Sequence, residues 1–199
     1  MAVTAERFAQ GMTYDQFKES MTRNRERLEA NEREVPIDKG TIDTFKNLPE
    51  SLNVLVIAED WCGDVIANLP ILGQLAEKSG KLNIRVFQRD QHLDLIDQYL
   101  KQGLYRAIPV FVFFDQHWHE VGRFIERPDS VTELRAQKRR EVYAANPAFG
   151  SPDAPPDQLP EEARVQLTQA LAQSREETKP QADADVVKAL REIVAGVAA

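Results

Sequence analysis

The chain has 199 residues, enough for one core domain of ordinary size with extensions. Apolar residues make up 42% of the chain and charged residues 29%, a balance typical of soluble globular proteins. The net charge of -7 argues against nucleic-acid or anionic-membrane partners, and no apolar run approaches the ~20 residues that span a bilayer.

The N-terminus, "MAVTAERFAQ", lacks the apolar stretch of a secretory signal, so we expect an intracellular, cytoplasmic protein. Residues 1–50 predict a polar helical extension. Thr13 and Gln16 have the spacing of a capping box at the start of one helix over residues 13–28, and a shorter helix is expected near residues 41–48.

Residues 51–145 alternate between apolar runs and helical patterns. The pattern predicts strands over residues 52–58, 82–90, 109–115 and 118–125, and helices over residues 62–78, 93–103 and 130–145. The first strand is nearly all apolar, which is typical of a strand buried on both faces. The order β-α-β-α-β-β-α indicates an α/β fold with a central mixed sheet flanked by helices.

The C-terminal region begins with a proline-rich linker over residues 146–160, followed by two predicted helices within residues 161–199. The second helix carries an apolar stripe. Its members are Val186, Val187, Leu190, Ile193, Val194 and Val197. This stripe either packs onto its own domain, which we favour, or forms a homodimer contact.

The stretch "AEDWCGDVIANLP" contains the only cysteine, Cys62, so the chain has no internal disulfide. A cysteine that follows a buried strand and opens a helix lies at the carboxyl end of a parallel sheet, where open α/β sheets place functional groups. The helix N-terminus favours a thiolate, whereas the nearby carboxylates of Glu59, Asp60 and Asp64 oppose it. The alternative is that Cys62 is a small buried apolar residue.

Several segments together resemble the thioredoxin superfamily. "WCGDV" stands where that family has Trp-Cys-Gly-Pro-Cys, Pro70 matches its kink proline, and "AIPVFVFFD" resembles its Ile-Pro segment. More narrowly, "EDWCGD", "RD", "IPVFVFFD" and "RFIERP" are similar to bacterial thioredoxin-like proteins with a Trp-Cys-Gly-Asp motif. The resemblance implies a thioredoxin-like fold with N- and C-terminal helical extensions, and a cis Ile108–Pro109 bond beside Cys62.

The departures from the family concern the second half of its redox cycle. Val65 stands at the position of the second cysteine, Val56 at the position of the family's buried acid, and Asp64 at that of the turn proline. Without a second thiol, a mixed disulfide with substrate has no internal route of release. Because the nearby carboxylates largely offset the helix N-terminus, we also expect a thiol that is less acidic than that of a standard thioredoxin.

Two functions follow from the resemblance. The first is monothiol, oxidoreductase-like exchange in which Cys62 attacks protein disulfides or oxidised thiols, and glutathione or another external thiol resolves the adduct. The second is a redox-inactive module that binds a peptide or small ligand by strand addition. We define the Cys62 groove as Cys62, the candidate catalytic residue, with the candidate binding residues Trp61, Gly63, Asp64, Ile108 and Pro109.

No cofactor or metal is predicted. His117 and His119 form a His-x-His pair without an identifiable third ligand, which favours a solvated hairpin turn. The acidic residues around Cys62 would mix hard and soft ligands in one short turn, which disfavours a metal there.

Overall fold

The computed structural model describes residues 3–196. The helices are α1 Ala5–Ala9, α2 Tyr14–Ser20, α3 Arg25–Glu34, α4 Lys39–Lys46, α5 Gly63–Ser79, α6 Leu93–Ile96, α7 Asp129–Ala145 and α8 Glu161–Ala195. The strands are β1 Leu52–Ala58, β2 Leu82–Gln88, β3 Val110–Phe114 and β4 Glu120–Ile125. Short 3-10 turns lie at Arg89–Gln91, Pro147–Phe149 and Pro156–Gln158.

The four strands form one mixed sheet in the order β2-β1-β3-β4. Strand β1 pairs in parallel with β2 and antiparallel with β3, and β3 continues antiparallel to β4. Because β1 is central and lies under helices, its apolar run is buried on both faces, as the sequence predicts. The predicted α/β class, mixed sheet and element order are confirmed.

The helix predicted over residues 13–28 is wrong in extent, because the structure has two helices there. The capping box that opens α2 is present: Thr13 Oγ1 accepts from the Gln16 N–H at 3.2 Å, and Gln16 Oε1 accepts from the Thr13 N–H at 2.8 Å. The helix ends at Met21, whose backbone is extended, and Asn24 adopts a left-handed φ of 58° before α3 begins. Left-handed backbone at a non-glycine residue interrupts a right-handed helix.

The helix predicted over residues 93–103 is also too long, because α6 ends at Ile96. Two consecutive residues, Gln102 and Gly103, have φ values of 54° and 71°, which no α-helix accommodates. They close a tight turn in which the Lys101 N–H donates to the Tyr105 carbonyl at 2.8 Å. This turn brings the chain back toward the start of β3.

The described residues form two compact units, of which the first comprises residues 3–127 and 186–196 and the second residues 128–185. The first contains the sheet and α1 to α6. The second contains α7 and an apolar cluster of Tyr143, Phe149 and Leu167, so the Pro-rich stretch 146–160 contributes a buried side chain to it.

Ser130 and Glu133 have the spacing of a capping box, which predicts a helix start at Ser130, but the structure forms no such box. The N-cap is Pro128, which offers no side-chain hydrogen bond, and α7 begins at Asp129. The Ser130 hydroxyl instead donates to the Asp185 carboxylate at 2.8 Å. The Ser130 hydroxyl therefore bonds to a residue that is remote in sequence and does not cap the helix.

The two C-terminal helices predicted within residues 161–199 are one continuous helix, α8, with Pro180 inside it. Side-chain pairs four residues apart flank the proline: Lys179 Nζ lies 2.7 Å from an Asp183 carboxylate oxygen, and Gln181 donates to Asp185 at 2.9 Å. Such pairs support the helix across the proline, which lacks an N–H, and in the turn after it.

The apolar stripe on α8 lies within the first unit. Val186, Val187, Leu190 and Val194 are buried in the core that also holds the sheet. A Cβ placed on Gly122 of β4 would lie 2.7 Å from Ile193 Cγ2, so glycine permits the close approach of helix and strand. Val197, the last predicted member of the stripe, lies outside the described residues.

Candidate functional site

The Cys62 groove starts at the junction between β1 and α5. Cys62 is the N-cap of α5 with an extended backbone, and its carbonyl accepts from the Ile66 N–H at 3.0 Å. The Trp61 side chain is 44% exposed, and Gly63 is exposed with open space where a Cβ would stand. Val65, at the position of the family's second cysteine, is fully buried.

The opposite wall of the groove is the Ile108–Pro109 segment. It precedes β3, which runs antiparallel beside β1, so the beginning of β3 meets the end of β1 at one edge of the sheet. The Ile108–Pro109 peptide bond is cis, and both residues are buried. The Cys62 Sγ donates to the Ile108 carbonyl oxygen at 3.5 Å, so the two predicted halves of the groove are in contact.

The environment of the thiol favours its protonated form. Burial raises the pKa of the Cys62 thiol above its ordinary value, and the negative charge of Asp64 raises it further. The backbone N–H groups of Val65 and Asp64 and the positive charge of Arg89 act in the opposite direction without overcoming burial. The sequence analysis weighed only the carboxylates against the helix N-terminus, whereas burial is the largest cause of the raised pKa.

The three acidic residues near Cys62 each have a partner. Glu59 is only 6% exposed, accepts from the Asp90 N–H at 2.9 Å, and has a pKa raised mainly by burial. Asp60 Oδ2 accepts from the backbone N–H groups of Thr22 and Arg23 at 2.8 and 3.0 Å. These two carboxylates therefore hold the loop in shape, a role that the sequence analysis did not assign to them.

The third carboxylate belongs to an ionic chain behind the groove. Asp64 pairs with Arg127, Arg127 lies 2.8 Å from a carboxylate oxygen of Glu126, and the other oxygen of Glu126 lies 2.5 Å from Lys101 Nζ. The Glu126 N–H also donates to the Pro109 carbonyl at 2.7 Å. This chain joins both walls of the groove and brings a cation to Asp64.

Arg89 is the second cation that sequence reasoning missed. Its guanidinium carbon lies 4.9 Å from the centre of the Trp61 ring, and its Nη1 donates to the Arg106 carbonyl at 3.3 Å. Arg89 therefore connects the Cys62 loop to the turn that precedes Ile108. The segments "RD" and "RFIERP", which contribute to the family resemblance, contain Arg89 and Arg127 and were the available signal.

The chemistry open to the site is that of one thiol with two N–H groups, one carbonyl and a flat aromatic ring. Across residues 3–196, no group of three or more His, Cys, Asp or Glu side chains has an arrangement that could hold a metal ion. In the β3–β4 turn, Asp115 accepts from the backbone N–H groups of His117 and His119, and its carboxylate lies 3.0 Å from the His119 ring nitrogen. In the same part of the chain, no helix is both long and apolar enough to cross a bilayer.

A mixed sheet with a cysteine at the start of a helix, facing an Ile-Pro segment at the next strand, defines a thioredoxin-fold protein. The chain belongs to the thioredoxin family: the family model, described as Thioredoxin, matches residues 11–140. The match includes most of the N-terminal helices as well as the sheet. No curated protein gives a significant match.

Two solved structures are similar in fold. One is a protein of unknown function from Pseudomonas aeruginosa, 20% identical, covering 86% of this chain and 96% of its own, with a TM-score of 0.61. The other is an HIV epitope-scaffold, 18% identical, covering 98% of this chain and 99% of its own, with a TM-score of 0.64. At these identities the similarity shows the fold alone.

Proposed function

We propose that this chain is a redox-inactive thioredoxin-fold module that binds an extended peptide in the Cys62 groove. The observation that carries the proposal is the state of the only thiol: Cys62 is partly buried, donates a hydrogen bond to the Ile108 carbonyl, and has a pKa raised mainly by burial. A thiol in that state is a poor nucleophile near neutral pH.

Exposed apolar side chains in the two chain segments that lead into the groove support peptide binding. Trp61 is 44% exposed, and the turn before Ile108 presents Leu104 and Tyr105 with 73% and 59% of their surface exposed. Arg89 contacts both the Trp61 ring and the carbonyl of the residue after Tyr105, which links the two segments. Grouped apolar exposure of this kind is typical of an interaction surface.

Trp61→Ala should abolish the binding of peptides selected against the wild-type protein from a displayed random library. The ring supplies the largest exposed apolar surface of the groove, and losing such an anchor costs an interface about 2 kcal/mol or more. Affinities measured by fluorescence anisotropy would check this. Val165→Ala removes an exposed apolar side chain outside the groove and should leave affinity unchanged. Equal affinities for both variants would place the peptide elsewhere.

The second candidate function is monothiol exchange, which the N–H groups of Asp64 and Val65 favour because they stabilise negative charge on the sulfur. The Cys62 thiolate would attack one sulfur of a partner disulfide, forming a mixed disulfide and expelling the other sulfur as a thiolate. Attack by glutathione would then release the partner's thiol, and a second glutathione would free Cys62 as oxidised glutathione forms. A reducing cytoplasmic compartment would suit this chemistry.

The rate at which Cys62 reacts with a disulfide reagent, measured against pH, separates the two functions. For the binding module we expect the midpoint of the profile above the ordinary cysteine pKa of about 8.5. Asp64→Asn removes a negative charge, lowers the thiol pKa and should accelerate the reaction at pH 7 about two- to fivefold. Arg89→Gln removes a positive charge and should slow it by a similar factor.

Glu192→Gln changes an exposed carboxylate of α8 and serves as the matched control, with no expected change in rate. A midpoint below pH 7 in the wild-type protein would favour monothiol exchange and end the redox-inactive proposal. Capture of partners as mixed disulfides by the wild type, but not by Cys62→Ser, would also favour monothiol exchange and end the redox-inactive proposal.

A further inference from the structure

Residues 106–108, which lie directly before Pro109, leave their backbone donors without partners. They belong to no helix or strand, and none of their three N–H groups donates a hydrogen bond to another residue in the described range 3–196. The Arg106 carbonyl accepts from Arg89 Nη1 at 3.3 Å, and the Ile108 carbonyl accepts from Cys62 Sγ at 3.5 Å. A run of backbone groups that lack backbone partners is a template for pairing with another chain.

The turn that leads into this segment, residues 101–105, presents two neighbouring apolar side chains to solvent. Leu104 is 73% exposed and Tyr105 is 59% exposed. The backbone under them is fixed, because the Lys101 N–H donates to the Tyr105 carbonyl at 2.8 Å and the Tyr105 N–H donates to the Lys101 carbonyl at 3.0 Å. A partner that contacts these side chains therefore binds a backbone that is already ordered.

The 101–105 turn and the unpaired segment are continuous in the chain. Three residues of extended chain span about 10 Å, so a peptide of about four residues reaches from Ile108 to Tyr105. A peptide that pairs with residues 106–108 therefore passes beside the turn. Its side chains there meet Tyr105 and Leu104.

The charged side chains that border the turn and the groove neutralise one another. Each cation has an acidic partner within ion-pair distance. The pairs are Lys101–Glu126, Arg106–Asp97, Arg89–Asp90 and Arg127–Asp64. A charged ligand would have to compete with one of these pairs or lie beside a charge of its own sign, whereas an uncharged apolar ligand does neither.

We infer that the partner of the Cys62 groove is an uncharged, apolar peptide segment, and that the 101–105 turn extends the groove as a contact site for one of its apolar side chains. This inference rests on the peptide-binding function proposed above. It adds the chemical class of the peptide and a second contact site, beyond Trp61, that sets the preference.

Fluorescence anisotropy with three pools of labelled peptides tests the inference. Each peptide has about eight residues, enough to pass both ends of the stretch from Tyr105 to Ile108. The first pool contains only Ala, Val, Leu, Phe and Thr, the second adds two glutamates, and the third adds two lysines. The neutral pool should bind at least about tenfold more tightly than either charged pool.

Leu104→Ser and Tyr105→Ser should each weaken the binding of the neutral pool about tenfold, because each removes an exposed apolar contact. Val165→Ser changes an exposed apolar residue of α8 and is the matched control, with no expected change. Equal or tighter binding of a charged pool would overturn the inference, as would unchanged affinity in both turn variants. In either case, loss of binding in Trp61→Ala would still support the groove itself.

Two further outcomes reach beyond the choice of peptide. If no pool binds, or if Trp61→Ala binds as the wild type does, the proposed function fails and this inference fails with it. Sedimentation velocity checks whether a second copy of the chain occupies the turn. A wild-type dimer that Leu104→Ser and Tyr105→Ser both dissociate would overturn the inference in favour of self-association.

Discussion

Val65→Cys should create a reducible intrachain disulfide with Cys62 and raise the insulin-reduction activity of the protein well above that of the wild type. The main-chain N–H of Val65 acts directly on the Cys62 sulfur, so a thiol attached to residue 65 starts within the first turn of the same helix. The change supplies the internal resolving thiol that the chain lacks. Mass spectrometry after mild oxidation should show the loss of two hydrogens, reversed by dithiothreitol.

Ala67→Cys provides the matched control, since it adds a thiol to the same helix at a half-exposed position. Five residues along an α-helix correspond to a rotation of roughly 140° from Cys62, so this thiol points away from the sulfur. It should give neither the intrachain bond nor the gain in activity. If Val65→Cys also failed to oxidise, the first turn of α5 would not have the geometry that the fold indicates.

Leu190→Ala should lower the free energy of unfolding by about 2–5 kcal/mol, the range for truncating a fully buried leucine. Leu190 has no exposed surface and lies in the core that holds the sheet. Urea denaturation followed by circular dichroism would measure the loss. The midpoint for the wild type should not depend on protein concentration, because the stripe on α8 is already buried within its own unit.

Lys188→Ala is the matched control. Lys188 lies two residues before Leu190 on the exposed face of α8, and its side chain is 74% exposed. Its 3.9 Å ion pair with Glu192 is exposed, and such pairs contribute little, so stability should change by about 0.5 kcal/mol at most. A small effect of Leu190→Ala, together with a midpoint that rises with protein concentration, would favour the homodimer contact instead.

The sequence was most informative where the physics is local. Strand β1 occupies the predicted residues 52–58, because a short β-branched apolar run bounded by polar residues has few other stable structures. The capping box at Thr13 was also predicted correctly, because its two partners are only three residues apart. The element order, and from it the mixed sheet, followed from such local signals.

The errors arose where a distant residue decides the local structure. The helix over residues 13–28 is interrupted where Thr22 and Arg23 bind Asp60, and no periodicity reveals that contact. The charge at the groove was misjudged for the same reason. Arg89 and Arg127 are remote from Cys62 in sequence, and only the pairing of strands brings them to Trp61 and Asp64.

The hydrogen bonds of Asp60 tie the Cys62 loop to the N-terminal segment. The Asp60 carboxylate binds Thr22 and Arg23, and its carbonyl accepts from the Asn24 side chain at 2.9 Å. A fragment trimmed to start at the first strand would keep every residue of the Cys62 groove but leave this carboxylate without those donors, two positions from the thiol. The N-terminal segment is therefore part of the groove's chemistry, and any transplant of the groove onto another scaffold has to carry that segment along.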